Sequence, residues 1–439
     1  MDGESLLEKL ENRGFKAYIV GGFVRDRLLG INSYDVDITT SASPDQILET
    51  FKDFKTIELG KKFGTIKVLY QGQEYEITTF RKESGYADKR HPDKISFTDD
   101  IREDLKRRDF TINAIALRDG DYLDPFSGRD DLEKKIIRAV GDPEKRIKED
   151  ALRSLRAVRF AAKLNFSLEE NLKKAIKNNA SDIKDLSKER IRDEVDKILM
   201  TENRSSAIRL MEELGILAYI FPEISLMKGF DQHSSFHDMD LFDHSLSVLS
   251  YIEGDLTTRI AALFHDAGKV STLFIDERGE GRFFGHQKES EDILRKRMKY
   301  LRYPKKTIED ASLLVRRHMD NTNTYTKKSI RKLLRRMGEE NIYRLFDLQR
   351  ADVLSTNHKD TSNIENGKKL LKEVLEDSTP KSRSQMAING HDLIELGFKP
   401  SKELGDVLTQ IEDLILEEKL ANEKEQIIQY IKNKYFPID

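Results

Sequence analysis

Two short motifs constrain this chain most. Gly21-Gly22-Phe23-Val24-Arg25-Asp26 is followed by Asp35-Val36-Asp37 at the distance that a strand, turn, helix and second strand require. Ala17 to Val20 is a short apolar run that favours a strand. The two glycines after it let the backbone turn sharply and approach a triphosphate, with helix N–H groups aimed at the anion. Asp35 and Asp37, at i and i+2 on a strand, point to one face, where hard carboxylate oxygens hold Mg²⁺. Two such ions a few ångströms apart would activate an attacking hydroxyl and stabilise a departing pyrophosphate. Each motif alone also fits a tight turn or a solvated loop, so the weight rests on their order and on the motifs further along the chain.

The chain has 439 residues, which at roughly 150 residues per domain implies about three domains. Charged residues make up 35% of it, as expected of a helix-rich protein with many exposed faces, and no apolar run approaches the roughly 20 residues of a membrane span. Leu6 to Leu10 is broken by Glu8 and Lys9, so no signal peptide is expected there, and a cytoplasmic location is. The absence of cysteine excludes disulfides and thiolate metal sites, leaving His, Asp and Glu as ligands. A net charge of −3 argues against indiscriminate nucleic-acid binding. Basic residues nevertheless cluster: Lys327, Lys328, Arg331, Lys332, Arg335 and Arg336 share a helical stretch whose apolar face is Ile330, Leu333, Leu334 and Met337. That stripe fits phosphate binding or a solvated face.

Up to about residue 140, strand-like runs (Ala17 to Val20, Asp35 to Thr39, Thr65 to Tyr70, Tyr75 to Phe80) mix with helical segments. After Gly141-Asp142-Pro143 the pattern is helical periodicity broken by short turns. The expected fold class is α+β: a head with a small mixed β-sheet over residues 1–141, then an all-α neck (142–228), a metal-binding body (229–360) and a helical tail (361–439).

Further motifs come in order: Arg107-Arg108-Asp109-Phe110-Thr111-Ile112-Asn113-Ala114, Leu123-Asp124-Pro125-Phe126-Ser127-Gly128, and Glu149-Asp150-Ala151-Leu152-Arg153 through Arg156 and Arg159 to Phe160. Together with the first two they closely resemble the class II tRNA nucleotidyltransferases, the bacterial CCA-adding enzymes and their poly(A) polymerase relatives, densely from about residue 15 to 225. The resemblance implies catalysis by Asp35 and Asp37 with Mg²⁺, and an acidic group near Glu76, which otherwise fits an exposed strand position. It implies that Gly21, Gly22 and Arg25 meet the triphosphate, and that Arg107, Arg108 and Asp109 meet the sugar and phosphates of the nucleotide. Asn113 lies four residues after Asp109, on the same helical face.

Asp150 and Arg153 stand three apart on an expected helix, a carboxylate acceptor beside a guanidinium donor. Cytosine and adenine both present an amino donor beside a ring-nitrogen acceptor, whereas uracil and guanine reverse it, so this pair accepts C and A. In the family these positions are the protein template, and Arg156 and Arg159 continue the stripe toward phosphate. Surface ion pairs with Glu149 and Asp150 are the alternative for those arginines. Arg81 to Phe97, with Gly85, Tyr86, Asp88, Arg90, His91 and Pro92, lacks periodicity and resembles the family's flexible loop, whose presence is associated with switching from C to A addition.

Seven of the nine histidines (233, 237, 244, 265, 286, 318 and 358) fall within 126 residues, where even spreading would put fewer than three. Asp243-His244, His265-Asp266, Gly285-His286, Arg317-His318 and Ala351-Asp352 succeed one another in an order that resembles an HD phosphohydrolase domain. That resemblance implies a first metal site of His244, His265, Asp266 and Asp352, with His286 and His318 available to a second ion. Imidazole with carboxylate suits Mn, Fe, Ni or Mg, and the expected substrates are phosphate esters, such as 2′,3′-cyclic or 2′-phosphates on damaged RNA ends. Residues 388–400 and 422–425 resemble the tail of HD-containing CCA-adding enzymes and are expected to touch the tRNA body.

The expected activity is addition of C, C and A to the 3′ end of tRNA from CTP and ATP, with the tRNA acceptor stem as partner and no membrane. A partial enzyme adding only C or only A, a poly(A) polymerase, and an HD hydrolase with a non-catalytic RNA-binding head are the alternatives. The oligomeric state is not legible.

Overall fold

The structure, a computed structural model, describes residues 2–60, 63–85, 94–233, 239–357, 359–376, 386–416 and 419–436. The chain divides into two compact units, residues 1–222 and 223–439. Among the described residues no helix is long and apolar enough to cross a membrane.

The first unit is built on β1 (Ala17–Val20), β2 (Asp37–Thr40), β3 (Lys55–Gly60), β4 (Thr65–Tyr70), β5 (Gln73–Thr79), β6 (Arg81–Ser84), β7 (Lys94–Phe97), β8 (Ala116–Arg118) and β9 (Asp121–Leu123). Seven of these make one sheet, in the order β3-β4-β5-β2-β1-β8-β9. It is mixed, because β2 and β5 run parallel while the other neighbours are antiparallel. In register across it lie Leu117, Ile19, Ile38, Ile77 and Ile66, a row of apolar side chains that is almost wholly buried. The adjacent row contains Val20, Asp37, Glu76 and Lys67. Successive residues of a strand face opposite ways, so one face packs a core and the other presents charge.

Three local expectations are corrected. The strand expected from Asp35 begins at Asp37, because β1 ends at Val20, opposite Asp37, and turns away at Gly21. The strand expected from Tyr75 begins at Gln73, because Gln71 and Gly72, both at positive φ, close a tight hairpin with β4. The stretch from Arg81 to Phe97, read as a loop, starts and ends in β6 and β7, paired from Arg81–Phe97 to Ser84–Lys94. Tyr86, Asp88, Arg90, His91 and Pro92 lie outside the described residues.

The Leu123–Gly128 motif is a packing device. Asp124 accepts hydrogen bonds from the backbone N–H groups of Gly128 (2.8 Å) and Arg129 (2.9 Å), tying down the start of the Gly128–Glu133 helix. That helix lies so close to the chain before it that a Cβ on Gly128 would sit 2.3 Å from the carbonyl oxygen of Thr111. Residues 143–222, expected to be all helical, are so apart from Ser167–Leu168, a short strand that pairs with Ile136–Ile137; of the helices, Pro143–Glu149, Leu152–Leu164 and Lys188–Leu199 carry site residues.

In the second unit, Leu241–Tyr251, Leu256–Phe264, His286–Tyr300, Lys305–Arg317 and Lys327–Leu354 are the main helices before the tail. Gly338, at φ 74°, interrupts the last of them. Two residues of the basic stripe at its start are tied to neighbouring acids and a third is buried. Arg335 pairs with Asp413 (3.0 Å) and Glu412 (3.4 Å), Lys327 pairs with Glu373 (3.0 Å), and Arg331 is buried. The tail helices Gly390–Glu395, Lys402–Leu416 and Lys424–Tyr435 enclose their own core around Leu393, Ile411, Ile427 and Ile431.

Gly128→Ala should destabilise the first unit by about 1–3 kcal/mol, the usual range for overpacking a tight site, read as a lower unfolding midpoint. An unchanged midpoint would show that the helix gives way freely.

Candidate active site

A cleft of about 640 Å³ opens on the charged face of the sheet. Gly21, Gly22, Arg25, Arg107, Arg108, Asp109, Asn113, Asp150, Arg153, Arg156 and Arg159, all expected to meet nucleotide, line it, and so does Asp37. Gly21, at φ 77°, is required there for two reasons. Its backbone conformation disfavours any other residue, and a Cβ would stand 3.2 Å from both the Arg108 guanidinium and the Asp37 carboxylate.

Asp37 and Glu76 are direct neighbours on parallel strands, while Asp35 is exposed in the segment just before β2. Burial, with the charges of Asp35 and Glu76 added and that of Arg108 opposing, pushes the Asp37 carboxyl up to about 6. Asp35 and Glu76 are near enough for their charge to act on Asp37, but among the described residues the three carboxylates do not converge as a metal-binding group. Glu76 is half exposed and lies 3.9 Å from Lys67. Neither Glu76 nor Asp35 lines the cleft itself.

The arginines of the cleft are aimed by buried acids. Asp104, fully buried, accepts from the Arg107 side chain (2.9 Å) and the Arg81 backbone (3.3 Å), and its other oxygen lies 3.7 Å from Arg108. Glu83 accepts from Arg81 (2.8 Å) and Arg107 (3.3 Å). Burial lowers the pKa of Arg108 against these attractions. Sequence reading missed Asp104 and Glu83, which look like ordinary surface charges when only their own segments are considered.

On the opposite wall a buried network joins Arg156, Asp109, Asn113 and Arg25. Arg156 donates to Asp109 (2.8 Å), Asn113 donates to Asp109 (3.1 Å) and Arg25 donates to Asn113 (2.7 Å) and Asp26 (2.8 Å). Burial alone would raise the Asp109 pKa, but Arg156, Asn113 and the Phe110 N–H hold it below the usual carboxylate range. Asp109 and Asn113 meet as expected, although only Asn113 is helical, in a single 3₁₀ turn. The Phe160 ring, also missed, is a platform for Arg25, Arg156 and Arg159, whose guanidiniums lie 5.2, 5.5 and 4.4 Å from its centroid.

Asp150 and Arg153 both reach the cleft, but not from one helical face. Asp150 is extended (φ −153°) between two helices, where one carboxylate oxygen caps the Leu152 N–H at 3.0 Å and the other accepts from Arg190 at 2.7 Å. Asp, whose side chain competes for backbone N–H groups, favours such a cap over a helix interior. Arg153 donates to Glu149 (2.7 Å) and to the Arg146 carbonyl (2.8 Å), and Arg159 donates to Glu194 (2.7 Å).

The second unit gathers all six metal ligands expected from the sequence. His244, His265 and Asp266 converge as one group, and Asp266, His286 and His318 as another, so Asp266 is shared rather than confined to the first. Asp352 lies 3.2 Å from His244 and 3.8 Å from His265. The Nδ1 atoms of His265, His286 and His318 lie 2.7–2.8 Å from the carbonyls of Ala262, Phe283 and Val315. A carbonyl only accepts, so each Nδ1 carries the proton and each Nε2 keeps its lone pair for the centre. The Nε2 atoms of His286 and His318 then face each other at 3.4 Å, an arrangement that suits a cation between them. Although burial opposes ionisation, His265 and Lys269 keep the Asp266 carboxyl well below its usual range, and His244 and His265 do the same for Asp352. Of the other clustered histidines, His237 and His358 lie outside the described residues and His233 lies beside Asp231.

Three family descriptions match the chain in order: the poly A polymerase head domain over residues 17–138, the probable RNA and SrmB-binding site of polymerase A over 165–227, and the putative tRNA nucleotidyltransferase domain 2 over 283–431. The CCA-adding enzyme of Lactobacillus helveticus is 35% identical over 433 residues, covering 98% of this chain and 96% of that one. Among solved structures, the Bacillus stearothermophilus CCA-adding enzyme in complex with CTP superposes with a TM-score of 0.77 at 28% identity, over 99% of this chain and 97% of that one. The Thermotoga maritima CCA-adding enzyme complexed with tRNA shares the fold at 22% identity and a TM-score of 0.57, over 98% and 94% of the two chains.

Because Asp37 holds a proton more tightly folded than unfolded, the metal-free fold has a stabilisation that is complete below the ordinary carboxylate pKa of about 4 and is lost as the pH rises through about 6. Asp37→Asn should therefore raise the stability of the metal-free chain at pH 7.5 by on the order of 2 kcal/mol, measured by denaturant unfolding in a chelator. Equal stability of the two proteins from pH 5 to 8 would refute the buried repulsion.

Proposed function

The chain belongs to the CCA-adding enzymes, and on that premise we propose that its head, residues 1–141, and neck, 142–228, build the C-C-A end of tRNA from CTP and ATP in the arginine-lined cleft. Cytoplasmic tRNA lacking that end is the substrate. The observation that carries the assignment of residues is that Asp37, in register with Glu76 on the charged face, lines one cleft with Asp150 and Arg153.

Asp35 and Asp37, with Glu76 beside them, would hold Mg²⁺, which when bound lowers the pKa of the attacking 3′-hydroxyl and stabilises charge on the leaving pyrophosphate. The chain's own groups do the rest. Gly21 and Gly22 bring the backbone close to the triphosphate. Arg107 and Arg108, aimed by Asp104 and Glu83, give fixed donor forks to phosphate oxygens, and a guanidinium already held in place loses little freedom when it binds. The Arg156–Asp109–Asn113–Arg25 network fixes the wall on which the sugar and phosphates would lie. A carboxylate oxygen has two lone pairs, so the bond from Arg190 leaves Asp150 able to accept from the amino group of C or A, while Arg153 donates to the ring nitrogen.

The second unit carries a further activity under this proposal. The buried His/Asp cluster of residues 229–360 would hold one or two divalent ions, of Mn, Fe, Ni or Mg, and hydrolyse phosphate esters such as 2′,3′-cyclic or 2′-phosphates on RNA ends. The tail, residues 361–439, would touch the tRNA body.

Given tRNA that lacks its last three nucleotides, Mg²⁺ and labelled CTP and ATP, the protein should extend by C-C with CTP alone and by C-C-A with both. Asp35→Ala and Asp37→Ala should each abolish extension, while Asp266→Asn should remove ester hydrolysis and spare extension. A long A tail, or a single nucleotide type added, would overturn full CCA addition; full extension by Asp37→Ala would overturn the catalytic assignment. Arg153→Ala should narrow the preference for C and A over U and G by about 1–3 kcal/mol, the worth of one bidentate pair, read as the ratio of kcat/KM for CTP and UTP. An unchanged ratio would remove Arg153 from base selection.

A further inference from the structure

Beside the His/Asp cluster lies a pair of polar groups that the ligand set does not use. Gln232 is 2% exposed, and its segment is pinned from two sides. The Gly281 N–H donates to the His233 carbonyl at 2.8 Å and the Leu241 N–H donates to the Phe230 carbonyl at 3.2 Å. Gly281 is glycine of necessity, since a Cβ there would stand 2.1 Å from the Gln232 carbonyl oxygen. Lys269, at the start of the short helix after His265-Asp266, extends its ammonium to the Asp266 carboxylate (2.7 Å) and to the Gln232 side-chain oxygen (3.0 Å). The same ammonium lies 5.3 Å from the centre of the Phe283 ring.

An ammonium only donates, so the amide atom facing Lys269 is the oxygen, and the Gln232 Nε2 with its two protons points elsewhere. That Nε2 is fully buried and has no hydrogen-bond acceptor among the described residues. A buried donor without an acceptor is costly to keep, and accepting from Lys269 uses only the oxygen of the amide. The two N–H groups of Gln232 and the Lys269 ammonium are donors beside one another, the ammonium itself in contact with the shared candidate ligand Asp266. Oxyanions suit such a set: they carry negative charge, accept several hydrogen bonds at once, and gain most where water is excluded.

We propose that Gln232 and Lys269 are the anion-recognising arm of the second site, taking a non-bridging oxygen of a phosphate ester whose other oxygens face the ions. This rests on the cluster being a phosphohydrolase centre. It adds that substrate is selected by its phosphate through two residues that ligate no metal. A phosphomonoester and a cyclic phosphodiester share this chemistry, and the assay separates them.

The test uses the full-length chain loaded with Mn²⁺, as wild type, Gln232→Leu and Gln232→Glu. Metal content is measured by elemental analysis, binding of inorganic phosphate by calorimetry, and hydrolysis with p-nitrophenyl phosphate and a nucleoside 2′,3′-cyclic phosphate. Both variants should keep the metal, the unfolding midpoint and CCA addition. Phosphate binding should weaken about tenfold in Gln232→Leu, the loss of roughly one charge-assisted hydrogen bond, and more in Gln232→Glu, where donors become a second acidic acceptor. KM should rise to match, with kcat within about twofold, for whichever ester the wild type hydrolyses. Should Gln232→Leu disturb packing, Gln232→Glu, which keeps the shape, decides. Metal retained with phosphate affinity unchanged in both variants would overturn the proposal while leaving the metal centre standing. A wild type that binds none of Mn²⁺, Fe²⁺, Ni²⁺ and Mg²⁺ would overturn the phosphohydrolase reading, and this inference with it.

Discussion

The parallel pairing of β2 with β5 is the constraint on which the head depends. It places Asp37 beside Glu76 and, one row away on the opposite face, Ile38 beside Ile77. The row of buried isoleucines that continues through Ile19 and Ile66 holds the strands in a single register, since a slip by one residue would turn the carboxylates into the core and the isoleucines into the cleft. Apolar burial on one side of the sheet thus holds like charges together on the other. Burial first, with the charges of Asp35 and Glu76 added, raises the pKa of the Asp37 carboxyl.

Both units place charge by the same principle: a polar group is aimed by fixing the atom that does not react. In the head, buried Asp104 and Glu83 hold Arg81, Arg107 and Arg108, while Glu149 and Glu194 hold Arg153 and Arg159. In the second unit, backbone carbonyls fix the Nδ1 atoms of His265, His286 and His318, so that their Nε2 atoms converge. Donors and ligands set in advance of binding lose less freedom when a phosphate or an ion arrives, the physical basis of preorganisation. The two centres differ in how open they are. The head offers a wide cleft walled by arginine, suited to a nucleotide with a long polyphosphate, whereas the His/Asp cluster is closed in and suited to ions and a small anionic group.

Much of this was legible in order and spacing alone. A strand of four residues, a glycine pair and two aspartates announce a turn and a charged strand end because each step depends only on neighbours in the chain, and β1 and β4 have the bounds that their apolar runs suggest. The six candidate ligands of the second unit were readable for a related reason: imidazole and carboxylate at successive helix ends have few other uses in a chain without cysteine. All the nucleotide-facing positions that these local motifs suggest do line one cleft.

What the sequence by itself determined is therefore the inventory of chemistry and its order along the chain. Tertiary structure alone decided which groups oppose which. Arg156 reaches back 47 residues to Asp109, Arg190 reaches 40 to Asp150, and Arg335 reaches forward 78 to Asp413, which takes one arginine of the basic stripe into an internal contact. Asp104 looks like one more charge on a short helix until folding buries it among three arginines, and Gln232 looks like any loop amide until Lys269 takes its oxygen. Such partners are set by the packing of distant segments, and a free energy of burial that depends on the whole fold leaves no periodic trace in any one of them.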